Sequence, residues 1–469
     1  MYGMHTTKGA TYAVKRDEVS SFLVFALTGF AVLFGTVMLF RYNGTPLDTF
    51  LVATAAGLAA IAVSGLWLLR CRQGGVVYVL VLSGYLVRVL FGIYVYNELD
   101  PYYFQGDGSY SWGHPEMELS FNAARITSNA LASNDGFLLA FASSALNDGD
   151  SKNPLIHWWM GMFLMSTGST NAMDLAAFNA FHMSIAALGI IALALNLGYP
   201  RRAAFLAGIV TAWYPFSFIS SLLWRDAIGC AFVVLAIVLA SKFKLRSLAT
   251  WPLFTAAMFL SFSHRTVYPV VIFLASFLSV KMATQGTLQG NRSTKRTGYW
   301  FLGIVVTLVC SRLFSDYLFL YYSNFSVGAV LERIVFLPIL LVRAILGPFP
   351  WFNELAPPMF WSRIFDYAFH VLQFAVLLGI AQHYRRFFRT PDISVYAFLL
   401  FFGTAMMAPG IHTAYLSVGL PFAFARIFSL TRNFSMYLIA SFFFFMAFNV
   451  LFFVLGFSGA GFSQSITGY

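Results

Sequence analysis

A chain of 469 residues with 59% hydrophobic and only 10% charged side chains, at a mean hydropathy of +0.74, is not written for a water-soluble domain. Its net charge of +11 lies in short basic clusters between apolar runs, not in a stripe with interleaved aromatics, which argues against nucleic acid as a partner. Three cysteines, Cys71, Cys230 and Cys310, at unrelated spacings supply neither a disulfide framework nor a metal pattern.

Apolar runs long enough to cross the ~30 Å hydrocarbon layer recur along the whole chain, and they predict an all-α polytopic membrane protein of about 13 transmembrane helices. The predicted spans are 20–40, 51–69, 76–97, 173–196, 203–223, 227–241, 248–263, 266–282, 299–317, 362–382, 394–410, 412–428 and 434–457. The first is longer than a signal-peptide core and no small-residue cleavage motif follows it, so it reads as an uncleaved anchor. An amino terminus in the cytoplasm puts Lys8, Lys15, Arg16, Arg70, Arg72, Arg201, Arg202, Lys242, Lys244 and Arg246 inside. It does the same for Lys281, Arg292, Lys295, Arg296, Arg385, Arg386, Arg389, Arg426 and Arg432, so that most of the 29 basic residues obey the positive-inside rule. Two further apolar segments, 154–168 and 329–347, would invert three of those basic loops if both crossed. They are read as helices lying at the outer interface or dipping partly into it, with Trp158, Trp159 and Trp351 as interfacial anchors. The resulting organisation is a two-span extension (1–75), a transmembrane region (76–430) with large external loops at 98–172 and 318–361, and a last span with a short tail (431–469).

The loop 98–172 is where polar chemistry collects. Gly106-Asp107-Gly108-Ser109-Tyr110 lets a carboxylate project from a tight turn; the plainer reading is an ordinary turn aspartate. Asp148-Gly149-Asp150 places two carboxylates two residues apart, an oxygen pair suited to a divalent metal ion, though the pattern is short and common. Arg225-Asp226 and His264-Arg265 fall at turns on the external side, and Arg88 lies inside a span. Arginine meets phosphate with a planar fork of donors, so these three are candidates for a lipid phosphate. The bland alternative is an interfacial snorkelling charge or a local Arg–Asp pair closing a hairpin. His114, His157 and His412 share the external side without the spacing of a zinc site.

The order of parts carries a resemblance. Arg88 in a span, Asp107 and Tyr110 in the following loop and Asn153-Pro154 opening an apolar segment come first. Asn179 in a span, Arg201-Arg202, Tyr214-Pro215, Arg225-Asp226 and His264-Arg265 follow. Gly347-Pro348-Phe349-Pro350-Trp351 and then His412 to Tyr415 with Pro421 close the series. In layout over 76–430 this resembles the GT-C superfamily of polytopic glycosyltransferases, especially the bacterial protein-mannosyltransferase and aminoarabinose-transferase group (family 39-like). The resemblance implies an enzyme of the bacterial inner (plasma) membrane that takes a sugar from a polyprenyl-phosphate donor. It delivers that sugar to a lipid, glycan or protein acceptor at the periplasmic face. It further implies Asp107 as the acidic residue important for catalysis, a general base towards the acceptor or a group that holds it, and Arg225 and Arg265 at the donor phosphate. Arg88 is grouped with that pair, and Asp226, His264, Tyr110 and His412 are assigned supporting places. The chain departs from the pattern in its two preceding spans, in having no evident soluble C-terminal domain, and in lacking an arginine in the span near His412.

Two rival classes fit the same sequence. An envelope polysaccharide polymerase or O-antigen-ligase-like enzyme would use a diphosphate-linked glycan at the same face. A transporter or flippase would place ionisable residues in mid-membrane on broken helices.

Overall fold

The computed structural model describes residues 18–42, 48–103, 124–129, 131–133, 154–168, 172–215, 226–241, 250–264, 268–285, 357–389, 391–407 and 413–454. Among these residues the protein is helical throughout, with no strand. The first half contains α1 (Glu18–Tyr42), α2 (Thr49–Gly65, extended by a 3-10 turn Leu66–Arg70), α3 (Gly74–Tyr103), α4 (Pro154–Thr167), α5 (Ala172–Asn196), α6 (Arg201–Ala212) and α7 (Asp226–Ser241). The second half contains α8 (Thr250–His264), α9 (Tyr268–Gln285), α10 (Pro357–Gln382), α11 (Tyr384–Phe388), α12 (Ile393–Met407), α13 (Thr413–Leu430) and α14 (Phe434–Val454). Among the described residues, four stretches are long and apolar enough to cross a membrane: Glu18–Tyr42, Thr49–Arg70, Gly74–Ile93 and Met173–Asn196. Shorter apolar helices accompany them, and together they make this an integral membrane protein. The predicted span 299–317, the segment 329–347 and Trp351 lie outside the described residues.

α5 is the hub. Of its apolar window 94% is buried, against 28% for α1, so α5 faces protein on every side while α1 keeps a lipid face. Small residues make this enclosure possible: Ala176, Ala180, Ala187 and Ala192 let neighbouring backbones close in where hydrocarbon offers no hydrophobic drive between helices. The approach of α6 is close enough that a Cβ on Gly208 would lie 2.1 Å from Ile191 Cγ1 and 3.2 Å from the Ala187 carbonyl oxygen.

Side-chain bonds fix the direction of each helix. Tyr78 donates to the Ala62 carbonyl and Tyr85 to that of Thr54, both at 3.0 Å, so α2 and α3 run antiparallel. Asn196 donates to Ser241 Oγ at 3.0 Å, while the His182 and Phe232 rings meet at 5.7 Å, so α5 and α7 run parallel. One end of the bundle gathers the basic turns. Tyr199 donates to Asp392 across the α5–α6 and α11–α12 connections. Arg426, near the end of α13, donates to the Arg386 and Phe387 carbonyls at 2.9 and 3.2 Å. Asp392 caps α12 by accepting from the Ser394 and Val395 amides at 3.0 and 3.2 Å. Arg201, Arg202, Arg385, Arg386, Arg389 and Arg432 are all exposed around this end.

Two sequence expectations change. Of the two placements expected for the segment 154–168, lying along the outer interface does not describe it: Ile156, Met160, Phe163 and Leu164 of α4 are fully buried in the bundle core. Trp159 packs between Phe30 and Phe34 of α1, and the α4 terminus at Gly168 (φ +71°) reaches Arg41, so α4 stands alongside α1 and parallel to it. Trp159 is therefore a partly buried residue packed against the core. Its indole spends its donor inside the bundle, which an interfacial anchor would direct to the headgroups. The second change is at the predicted span 203–223, where the helix stops at Ala212 after 12 residues. Pro215 has no amide hydrogen to give and disfavours helical geometry at Tyr214, which ends α6 about 17 Å from its start; 216–223 lie outside the described residues.

Candidate functional site

The early end of α6 is the chemical centre of the described bundle. A helix leaves its last four carbonyls without intrahelical partners, and inside an apolar core those oxygens need donors. Arg88 of α3 supplies one: its Nη2 donates to the Ala212 carbonyl and lies 3.5 Å from that of Thr211. The side chain is wholly buried, and its positive charge complements the negative end of the α6 dipole. Trp213 Nε1 donates to the Leu80 carbonyl at 3.0 Å and ties the same terminus to α3 a second time. The backbone of Gly84 comes so near that a Cβ there would lie 3.1 Å from the Ala212 oxygen, so a larger residue would press on the contact Arg88 caps.

Other polar side chains lie at the level of this terminus. Tyr214, 1% exposed, sets its ring against Phe369 of α10 at 5.5 Å and Phe424 of α13 at 6.0 Å. The Cys230 thiol of α7 is near enough to Arg88 and Tyr214 to interact electrostatically with both. On α10, His370 and Gln373 are each 1% exposed. At 1.5 Å per residue, Arg88 stands about 21 Å above the start of α3, the α6 terminus about 17 Å above its own start, and His370 about 18 Å above Gln382. These helix ends belong to the basic end of the bundle, so the polar groups share a layer in its opposite half.

A second buried histidine is satisfied. His182 Nδ1 bonds the Phe178 carbonyl at 2.8 Å and its Nε2 accepts from Trp159 Nε1 at 2.9 Å, which fixes a neutral tautomer with both nitrogens used. Phe30, Phe178, Phe181 and Phe232 enclose it, and this is a packing arrangement joining α1, α4, α5 and α7. Three residues before it on α5, the Asn179 amide is fully buried, and neither of its polar atoms has a hydrogen-bond partner.

Of the residues singled out in the sequence, Arg88 is described in full and serves the α6 terminus. Asp226 is the first residue of α7 and His264 the last of α8. Three residues separate α8 from α9, so the α7 start, the α8 end and the α9 start come to the same end of a helical hairpin set. Asp107, Tyr110, His114, Asp148, Asp150, Arg225, Arg265 and His412 lie outside the described residues, as does the side chain of His157. Among the described residues no group of three or more His, Cys, Asp or Glu is placed to hold a metal ion. No known protein family, no curated protein and no solved structure matches the chain.

Sequence reading did not single out His370 or Gln373. The signal was present: Asp366, His370 and Gln373 recur at i, i+4 and i+7 in a largely apolar helix, which is one polar face. Cys230 carried no local signal, because its place beside Arg88 depends on the packing of α7 against α5.

Proposed function

We propose that the chain is a membrane glycosyltransferase of about 13 spans, with its amino terminus in the cytoplasm of a bacterial cell. It moves a sugar from a polyprenyl-phosphate donor to a lipid, glycan or protein acceptor at the external face. The observation that carries this reading is the interrupted helix α6. Its capped terminus breaks the helix at Trp213 and Tyr214 in the non-basic half of the bundle, and Arg225 directly precedes the start of α7 in the sequence. α3, which provides the cap, runs on to Tyr103, four residues before Asp107.

In this reaction the isoprenoid tail lies among the helices and the phosphate meets Arg225 and Arg265, with Asp226 and His264 beside them. Asp107 takes the proton of the acceptor hydroxyl or amine, near Tyr110 and His412. The acceptor attacks the anomeric carbon and the carbon–oxygen bond to phosphate breaks. The charge growing on the departing polyprenyl phosphate is offset by the guanidinium groups. Arg88 holds the α6 terminus and so shapes the floor of this site.

Asp107→Asn at wild-type protein level should lower transfer by about 100-fold or more, the scale of a general base. Undiminished transfer would sink the assignment. Arg225→Ala with Arg265→Ala should weaken donor binding, and mass spectrometry of copurifying lipid should find a polyprenyl monophosphate. A diphosphate-linked glycan would favour the polymerase or ligase class instead. The interrupted helix also favours a second reading, a transporter or flippase whose substrate meets the broken helix. Vesicles holding the purified protein and donor without acceptor separate the two, since only a flippase moves the donor across them.

A further inference from the structure

α10 has three faces. Tyr367 and Phe374 meet Phe442, Phe444 and Phe445 of α14. Phe369 meets Tyr214 beyond α6, and Gly379 meets Ile427 of α13. At about 100° per residue, positions 366, 370 and 373 fall on a third face between these two. His370 on that face is 1% exposed, and neither ring nitrogen has a hydrogen-bond partner. Buried polar groups are almost always paired, and an imidazole with two dry nitrogens in a membrane protein core is an exception that calls for a ligand or water.

The chemistry of the ring narrows what that group is. Neutral imidazole offers one donor and one acceptor. Two hydroxyls of one sugar, one accepting and one donating, can satisfy the pair, whereas phosphate oxygens accept only and leave one nitrogen dry. The Phe369 ring, 5.3 Å from His370 between centroids, adds an apolar wall of the kind that covers a sugar's C–H face. We infer that His370, beside Gln373, forms a buried binding site for an uncharged hydroxyl-bearing group, the sugar of the transferred unit, level with the α6 terminus. The identity of that group rests on the proposed transfer reaction; the presence of an unpartnered buried imidazole does not.

Two arms test this. In the full chain with Cys71, Cys230 and Cys310 replaced by alanine, His370→Cys should be labelled by a small water-borne methanethiosulfonate, and Val376→Cys on the α13-facing side should not. A His370→Cys thiol as inert as Val376→Cys overturns the site. With a polyprenyl-phosphate hexose as donor, His370→Phe should raise KM by about tenfold or more, the scale of a lost hydrogen-bond pair, while kcat changes less. His370→Gln, which keeps one donor and one acceptor, should stay within about threefold of wild type. Labelling at His370→Cys together with an unchanged KM in His370→Phe would mean that water alone fills the site, and would overturn the sugar assignment. Absence of transfer by the wild-type chain would defeat the proposed reaction and leave the labelling result to decide the site.

Discussion

Arg88 offers the sharpest test of the interrupted helix. In Arg88→Met the stem volume is largely kept and the donor is lost. The Ala212 carbonyl is then stranded in the core, and an unpaired buried acceptor costs about 1–3 kcal/mol. The Thr211 carbonyl, 3.5 Å away, is at the limit of hydrogen bonding and adds little. Against this stands relief from burying a guanidinium, whose desolvation is itself unfavourable. The carbonyl term should win, because the α6 terminus is pinned by Trp213 and by Gly84 and cannot turn its oxygen to another donor. The expected net loss is about 1–3 kcal/mol, read from reversible unfolding of the purified protein in mixed micelles against denaturing detergent, followed by tryptophan fluorescence. Arg88→Lys should recover part of it. If Arg88→Met were as stable as wild type and yet lost donor binding, the side chain would be acting on the donor, and its role as a cap would be refuted.

Three further outcomes follow from other contacts. A Cβ on Gly57 would lie 2.2 Å from Tyr85 Oη and 2.8 Å from Cζ, so Gly57→Ala should destabilise by about 1–3 kcal/mol by the same unfolding assay. Gly57→Ala with Tyr85→Phe should cost less than the sum of the two single changes, since the first clash is with the hydroxyl. Trp159→Phe removes the donor to His182 Nε2 and should cost about 1–3 kcal/mol, while Trp159→Phe with His182→Leu, which leaves no polar atom stranded, should be closer to wild type. Burial and then the neighbouring Asp392 raise the Tyr199 phenol above its ordinary value of 10.0. The folded protein therefore keeps a proton that the unfolded chain gives up, and this contribution is intact below about pH 10 and falls by about 1.4 kcal/mol per pH unit above it. Unfolding measured from pH 9 to 11 should show this loss in wild type and a flatter profile in Tyr199→Phe.

Most helices could be read from the sequence because hydropathy and length are local properties: 20–40 became Glu18–Tyr42, and 227–241 became Asp226–Ser241. Failures occurred where a local pattern and tertiary packing disagree. The run from 203 to 223 is largely apolar, and hydropathy alone carried it past Trp213 and Tyr214, where the helix is interrupted; 216–223 lie outside the described residues. The segment 154–168 has tryptophans suited to an interface, but Trp159 finds its hydrogen-bond partner in His182, and that pairing draws α4 into the bundle. The depth of Arg88 was legible from its position in a span; its partner was not, because the α6 carbonyls lie more than a hundred residues away. For the site, Arg225 and Arg265 were chosen for their place in turns, whereas the buried pair His370 and Gln373 needed only the i, i+4, i+7 spacing that they share with Asp366.

The enclosure of α5 has a consequence for biogenesis. A segment carrying Asn179 and His182 at its interior-facing positions is a poor solitary guest in lipid, since both side chains would have to be solvated by hydrocarbon. α1 and α2 emerge from the ribosome earlier and form much of its sheath, with Phe30 against His182 and Trp67 beside Phe22. The leading pair thus acts as a resident chaperone in cis, a cradle waiting in the bilayer before its most polar tenant is threaded in.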